Sequence, residues 1–331
     1  MTTASRKTRR SQGVEAKSDS GYSILSRRRV AVLAHAKLNL CLSVGARRPD
    51  GFHEISSVMC SLDLADRIEI TRRPGDLNTL VVEGQDTGPD LQNLALKGAC
   101  LFQDLCRRLP SGKSGGDGSG PISPAAAYDI SLFKTIPVGS GLGGGSADAA
   151  GVLHGANWLS GEPFAKEQLA RHARVLGSDV PFCVVGGLAR VGATGEVVVP
   201  LAAGPEFWAC FFVVAIPDFW MSTSDVYAAF DSVGRRSEID DVPDVLEGIV
   251  ERFANDLEGA AEEMAPELKK LRRELSAIVG SPARLTGSGS AIYAIATDGE
   301  VAKQAADDAK RFFSEVFVCR PSPVGVTILG R

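Results

Sequence analysis

The chain has 331 residues, 44% of them hydrophobic and 23% charged, with a formal net charge of -4. That is room for roughly two domains with cores of their own. It leaves no global basic field to draw nucleic acid or a membrane surface, and no apolar run approaches the roughly 18 residues of a membrane span.

Residues 1–29 carry eight Lys or Arg against two acidic residues and almost no apolar periodicity, which predicts a disordered basic tail. An Arg- and Ser-rich leader is also the composition of a transit peptide, but a solvated tail is the simpler reading, with a bacterial cytoplasmic setting ahead of a plastid. Ordered structure begins near Val30 with a strand, "RVAVLAHAKLNLCLSVG". "ARRPDGFHE" is a loop with a Pro-Asp-Gly turn signal. "ISSVMCSLDLADRIEITRR" reads as strand, turn, strand, and "LNTLVVEG" as a short strand. "NLALKGACLFQDLCRRL" has helical spacing and a basic last turn. A Gly- and Ser-rich insertion near residues 110–122 follows, then an alternating strand in "AAAYDISLFKTIPVG".

Helices are expected over about Ser146 to Leu159 and in "EPFAKEQLARHARVLG"; "SDVPFCVVGGLARVGATGEVVVPL" mixes a short helix with strands. A boundary after "LAAGP" divides a first domain, 30–204, from a second, 205–331. The second opens on the apolar strand in "EFWACFFVVAIPD" and continues through helices in "TSDVYAAFDSV", around 242–255 and in "APELKKLRRELSAIVG". It closes with strand–glycine turn–strand in "ARLTGSGSAIYAIAT", a helix in "EVAKQAADDAKRFF" and a strand in "EVFVCRPS". The order is α+β, with no internal repeat. Seven scattered cysteines without a C-x-x-C pair, and four histidines without H-E-x-x-H spacing, point to free thiols in a reducing compartment and assign no metal ligand.

Five of the seven residues from Gly139 to Gly145 are glycine. A P-loop needs a Lys after its glycines, and none follows. Gly139, Gly141 and Gly144 match G-x-G-x-x-G, but the strand before them alternates polar and apolar residues, unlike the buried parallel strand of a dinucleotide fold. What fits is a glycine-rich loop running into a helix N-terminus, with Ser146 as N-cap and Asp148 in the first turn. Its free N–H groups can hold an anion. A close-packed turn, with Gly151 and Gly155 giving tight helix contact, needs fewer glycines.

"IPVGSGLGGGSADAAG", together with "AHAKLNLCLSVGARRPDGFHEISSVM" before it and "ARLTGSGSAIYAIA" after it, resembles the three motifs of the GHMP kinases in order and spacing. The resemblance covers Val30 to about Val318. It implies a two-domain fold, with a ribosomal protein S5 domain 2-like N-terminal part and a ferredoxin-like C-terminal part. It also implies ATP as phosphoryl donor with Mg²⁺ to neutralise phosphate charge. "AKLNL" followed by "RRPDGFHEI", with "GSDVPF" and "GATGE", is closest to members that phosphorylate the 2-hydroxyl of a cytidine-diphosphate-linked methylerythritol. Phe52 departs from the family's more frequent Tyr. A monomer or weak homodimer is expected.

Carried over residue by residue, the resemblance places the phosphates on Pro137, Val138, Gly139, Ser140, Gly141, Leu142, Gly143, Gly144, Gly145, Ser146 and Ala147. Asp179 fits an N-cap before Val180 and Pro181; the resemblance implies a general base as well. Lys37 fits an outward strand position, or an implied partner for Asp179. Asn39 shares its strand face and is expected to orient substrate. Phe52 and His53 read as core and loop residues or, by resemblance, as the stacking ring and edge contact of a cytosine site. Tyr227 fits core packing with Phe230 or a second stacking ring. Thr286, Gly287, Ser288 and Gly289 form a hairpin turn that the resemblance sets beside phosphates and substrate. A mevalonate- or sugar-type kinase would lack the "PDGFHE" loop, and a non-catalytic ATP-binding regulator would have lost Asp179 or Lys37.

Overall fold

The computed structural model describes residues 28–110, 126–233 and 254–329. All but the first residue of the insertion near 110–122, all but the last two residues of the helix expected around 242–255 and nearly all of the basic tail lie outside the described residues; Asn255 forms a β-bridge with Leu42.

Two sheets carry the fold. Among the described residues the larger has eight strands: the path β12 (Val326–Leu329), β1 (Arg29–Arg47), β2 (His53–Pro74), β4 (Ala126–Phe133) and β3 (Thr79–Glu83), with β5 (Leu188–Ala193) and β11 (Pro321–Ser322) paired to β2 and β6 (Val197–Pro200) paired to β5. β1 and β2 form a long antiparallel pair, and β3 runs parallel to β4. The turn expected inside β2 is absent. Its first half pairs with β5 (Leu188–Ala193) and its second half with β4, so the acidic stretch marks a change of partner. Asp66 lies there fully buried, satisfied by Lys134 and by the backbone N–H groups of Thr135 and Ile136. A turn is therefore not needed to bring its carboxylate to a partner.

Helix α1 (Leu94–Arg107) starts at Asn93, whose side chain accepts from Ala95 N–H. Helix α2 (Gly144–Leu159) lies on β1 and β2 and is buried on most of its faces. Gly151 and Gly155 make the close approach possible, since added Cβ atoms would stand 2.8 Å from Ile68 Cδ1 and 2.4 Å from Ile70 Cδ1. Helices α3 (Lys166–Ala173) and α4 (Val180–Val185) complete this layer, and β6 (Val197–Pro200) pairs with β5.

After α5 (Pro205–Ala209), the smaller sheet has the order β10-β7-β9-β8, antiparallel throughout. Its strands are β7 (Phe211–Ile216), β8 (Arg284–Leu285), β9 (Ile292–Ala296) and β10 (Glu315–Cys319). With α6 (Thr223–Val233), α7 (Leu257–Met264) and α8 (Pro266–Val279) before β8, and α9 (Gly299–Ala309) after β9, this is a ferredoxin-like unit.

The last strands rejoin the larger sheet. β11 (Pro321–Ser322) pairs with β2, and β12 (Val326–Leu329) with β1, so the chain returns to the first sheet. The units also share apolar contacts. Phe212, Val214 and Tyr293 belong to the core that contains Leu38 and Leu40, while Leu42 and Val44 of β1 pack in the other core. β1 thus runs through both, and Lys37 and Asn39 sit where it crosses.

Candidate active site

Irregularities in the β1–β2 ladder flank Lys37 and Asn39 on both sides. Both side chains are buried at about 5% exposure and face the cleft. Lys37 Nζ donates to Asn39 Oδ1 at 2.7 Å and lies 3.4 Å from Asp179 Oδ2. Asn39 Nδ2 donates to Ser57 Oγ at 2.9 Å, which fixes the amide's orientation. Asp179 occupies the N-cap position of α4, yet its side chain caps nothing. Its carboxylate is free to face the cleft, so position and capping function separate here.

The glycine loop closes over Lys37. Gly143, at φ 73°, is the N-cap of α2, so the helix starts before Ser146 and not at it. A Cβ on Gly143 would stand 2.8 Å from Lys37 Cγ. The second glycine turn packs on the first: Ala291 N–H donates to Ser140 O at 2.9 Å, and a Cβ on Gly141 would meet Gly289 O at 2.7 Å. Lys37 N–H donates to the Leu142 carbonyl, which ties the loop to β1.

Two cavities meet at this point. One, of about 430 Å³, is lined by the loop from Pro137 to Ser146, by Lys37 and Asn39, and by Asn93 and Leu94 at the start of α1. The other, of about 530 Å³, is lined by Phe52, His53, Tyr227 and Asp231, among others. Asp179, Ser146, Thr223, Tyr227 and Ile55 line both. The first cavity receives the N-termini of two long helices, whose first N–H groups lack intrahelical partners. It suits a polyphosphate. The second offers rings and an imidazole.

The expected residues do not all reach the cavities. Ala147 is fully buried in the core, and its N–H is spent on the Gly143 carbonyl. Gly287 and Ser288 line the first cavity, whereas Thr286 and Gly289 line neither; Thr286 Oγ1 instead accepts from Asn39 N–H. Asp148 is beyond the first turn of α2 and is buried. Phe52 is 57% exposed, not core, while His53 is buried. Tyr227 stacks on His53, ring centroids 5.0 Å apart at 32°. Burial first, and then the charge of Asp179, push the Tyr227 hydroxyl up to about 12.

Asp66, Lys134, Thr223 and Asn93 carry no site role in the sequence motifs, yet they stand at or beneath this site. Beneath the loop, Lys134 Nζ contacts both Asp66 Oδ2 and Asp148 Oδ2 in a buried triad. Burial raises the Asp148 carboxyl above its ordinary range, and Lys134 opposes the shift. Asp148 Oδ1 has no hydrogen-bond partner. Thr223 Oγ1 and Ser288 Oγ lie 2.9 Å apart across the cleft. Asn93 was signalled by an N-cap residue ahead of a periodic apolar run; the triad, in which Asp66 and Lys134 alone are 68 positions apart, had no local signal.

A glycine-loop unit joined to a ferredoxin-like unit, with Lys37 and Asp179 paired at the mouth of the loop, defines the class of the GHMP kinases. The family models "GHMP kinases N terminal domain" and "GHMP kinases C terminal" match residues 100–187 and 239–315. The chain is 33% identical to the 4-diphosphocytidyl-2-C-methyl-D-erythritol kinase of Exiguobacterium sibiricum over 297 residues, 88% of this chain and 97% of that protein. It is 36% identical to the one of Desulfitobacterium hafniense, over 85% and 91%. A crystal structure of 4-(cytidine 5'-diphospho)-2C-methyl-D-erythritol kinase superposes with a TM-score of 0.68 at 32% identity, covering 88% of this chain and 99% of that one. Homoserine kinase from Cytophaga hutchinsonii shares the fold, with a TM-score of 0.66 at 15% identity. The chain belongs to the 4-diphosphocytidyl-2-C-methyl-D-erythritol kinase family.

Proposed function

We propose that the chain transfers the γ-phosphoryl group of ATP to the 2-hydroxyl of 4-diphosphocytidyl-2-C-methyl-D-erythritol, a step in non-mevalonate isoprenoid precursor biosynthesis. The observation that carries the assignment is Asp179, which lines both cavities beside Lys37. A hydroxyl entering from the ring-lined cavity meets this carboxylate at the point where phosphates enter from the other.

Asp179 accepts the hydroxyl proton as the oxygen attacks phosphorus, and Lys37 holds the carboxylate in place. The loop amides of Gly144, Gly145 and Ser146 bind the β- and γ-phosphates, helped by the α2 dipole. Gly287 and Ser288 face the same phosphates from the other unit. Because phosphoryl transfer passes through a loose transition state, positioning outweighs base strength. Phe52 and Tyr227 hold the cytosine ring, and His53 reads its edge.

The donor set fits magnesium carried on the phosphates. Mg²⁺ takes few protein ligands beside substrate oxygens, and the cavity offers Ser146 Oγ and the unpartnered Asp148 Oδ1. The ion supplies charge neutralisation when bound. The proposed setting is the cytoplasm; no helix among the described residues is long and apolar enough to cross a membrane.

The test is ATP consumption with the cytidylyl substrate set against methylerythritol phosphate, mevalonate, homoserine and galactose. Turnover is expected with the first alone. Preference for a substrate without a nucleotide contradicts the assignment.

A further inference from the structure

His53 has a neighbour that neither the sequence motifs nor the catalytic argument uses. Its Nε2 lies 2.8 Å from Asp231 Oδ1, which makes the carboxylate the acceptor for that nitrogen. Asp231 sits one helical turn after Tyr227 on α6, so a single helix face delivers a stacked ring and a carboxylate to the same imidazole. Phe230 adds an edge contact at 6.4 Å, and Arg47 approaches Asp231 at 4.0 Å. His53 Nδ1 makes no hydrogen bond within the described chain, and the residue lines the second cavity together with Asp231.

An ionised carboxylate only accepts hydrogen bonds. In a neutral His53 the hydrogen therefore sits on Nε2, and Nδ1 is left bare as an acceptor in a residue that lines the cavity. Cytosine carries an amine at its 4-position and uracil carries a carbonyl oxygen there. An acceptor opposite that position takes a hydrogen from the first and repels the lone pairs of the second.

We propose that Asp231 is a positioning residue that fixes His53 as a hydrogen-bond acceptor and thereby selects a 4-aminopyrimidine nucleotide over its 4-oxo counterpart. The inference rests on the kinase reading above and deepens it: base choice is exerted through the partner of the histidine. In the Asp231→Ala variant His53 is free to take either tautomer, and one of them presents a donor at the same place.

The experiment compares kcat/KM for the cytidine- and uridine-diphosphate-linked methylerythritols in wild type and Asp231→Ala, with ¹⁵N spectra of His53 in both proteins. Wild type is expected to favour the cytidine substrate and to show Nε2–H with unprotonated Nδ1. The variant, with an unchanged melting profile, is expected to lose roughly 10- to 100-fold of that preference, through KM more than kcat, and to show mixed tautomers. An unchanged preference in the folded variant, or an Nδ1–H tautomer in the wild type, overturns the role of Asp231 and leaves the kinase reading standing. Equal turnover of both substrates by wild type does the same. A wild type that turns over neither overturns both.

Discussion

Gly143 shows why the loop is glycine at that point and not merely somewhere. Its φ of 73° and the 2.8 Å distance from a virtual Cβ to Lys37 Cγ leave no place for a side chain. Gly143→Ala is expected to displace Lys37 from Asp179 and lower kcat at least tenfold while the fold persists, since small misplacements of reacting groups are costly. Steady-state kinetics beside a melting curve checks this, and an unchanged kcat removes the packing argument. Lys37, Asp179 and the loop were legible in the sequence because each belongs to a short contiguous motif. Ala147 was assigned with the motif, although its N–H already serves the helix. The triad of Asp66, Lys134 and Asp148 was not legible, because burial and partnership over long separations leave no periodic trace.

At the scale of elements, one buried and one partly buried histidine tie strands and helices together and make the fold sensitive to acid. His35 Nδ1 donates to Leu62 O at 2.7 Å, so its Nε2 accepts from Thr327 Oγ1 at 2.9 Å, joining β1, β2 and β12. His154 on α2 donates from Nε2 to Val184 O at 3.0 Å, which binds α2 to α4. Burial lowers the pKa of both below the ordinary 6.5. Between the lowered value and 6.5 the unfolded chain binds more protons than the folded one, so stability rises with pH through that window. The contribution is complete above 6.5 and is lost as pH falls through the lowered pKa values. The melting temperature is expected to fall from pH 7 to pH 5, and to fall less in a His35→Gln, His154→Gln variant. An equal fall in both assigns the acid sensitivity to other groups. Helix and strand types were largely readable from periodicity and caps. Two aspartates in β2 resemble a turn until their partners are known. β11 and β12 were missed because such short strands are defined by what they pair with.

At the scale of the molecule, residues 321–329 close the larger sheet. β12 covers the edge of β1, β11 pairs with β2, and the Gly325 carbonyl accepts from His35 N–H at 2.9 Å. A chain ending at residue 320 uncovers the strand that carries Lys37, and it is expected to lose its cooperative melting transition; an unchanged transition contradicts this topology of support. Tyr293 Oη donates to Leu40 O at 3.0 Å across the two units, so the cleft is built on a shared core. Asp179, set between a phosphate cavity and a ring-lined cavity, is the proposed acceptor for the proton of the substrate hydroxyl. The most direct test of that role is ³¹P NMR of the product formed from ATP and 4-diphosphocytidyl-2-C-methyl-D-erythritol by wild type and by Asp179→Asn. The wild type is expected to give a new phosphomonoester on the 2-hydroxyl. The folded variant is expected to form it roughly 10²- to 10⁴-fold more slowly. A near-normal rate in the variant, or phosphate on another hydroxyl, contradicts the account.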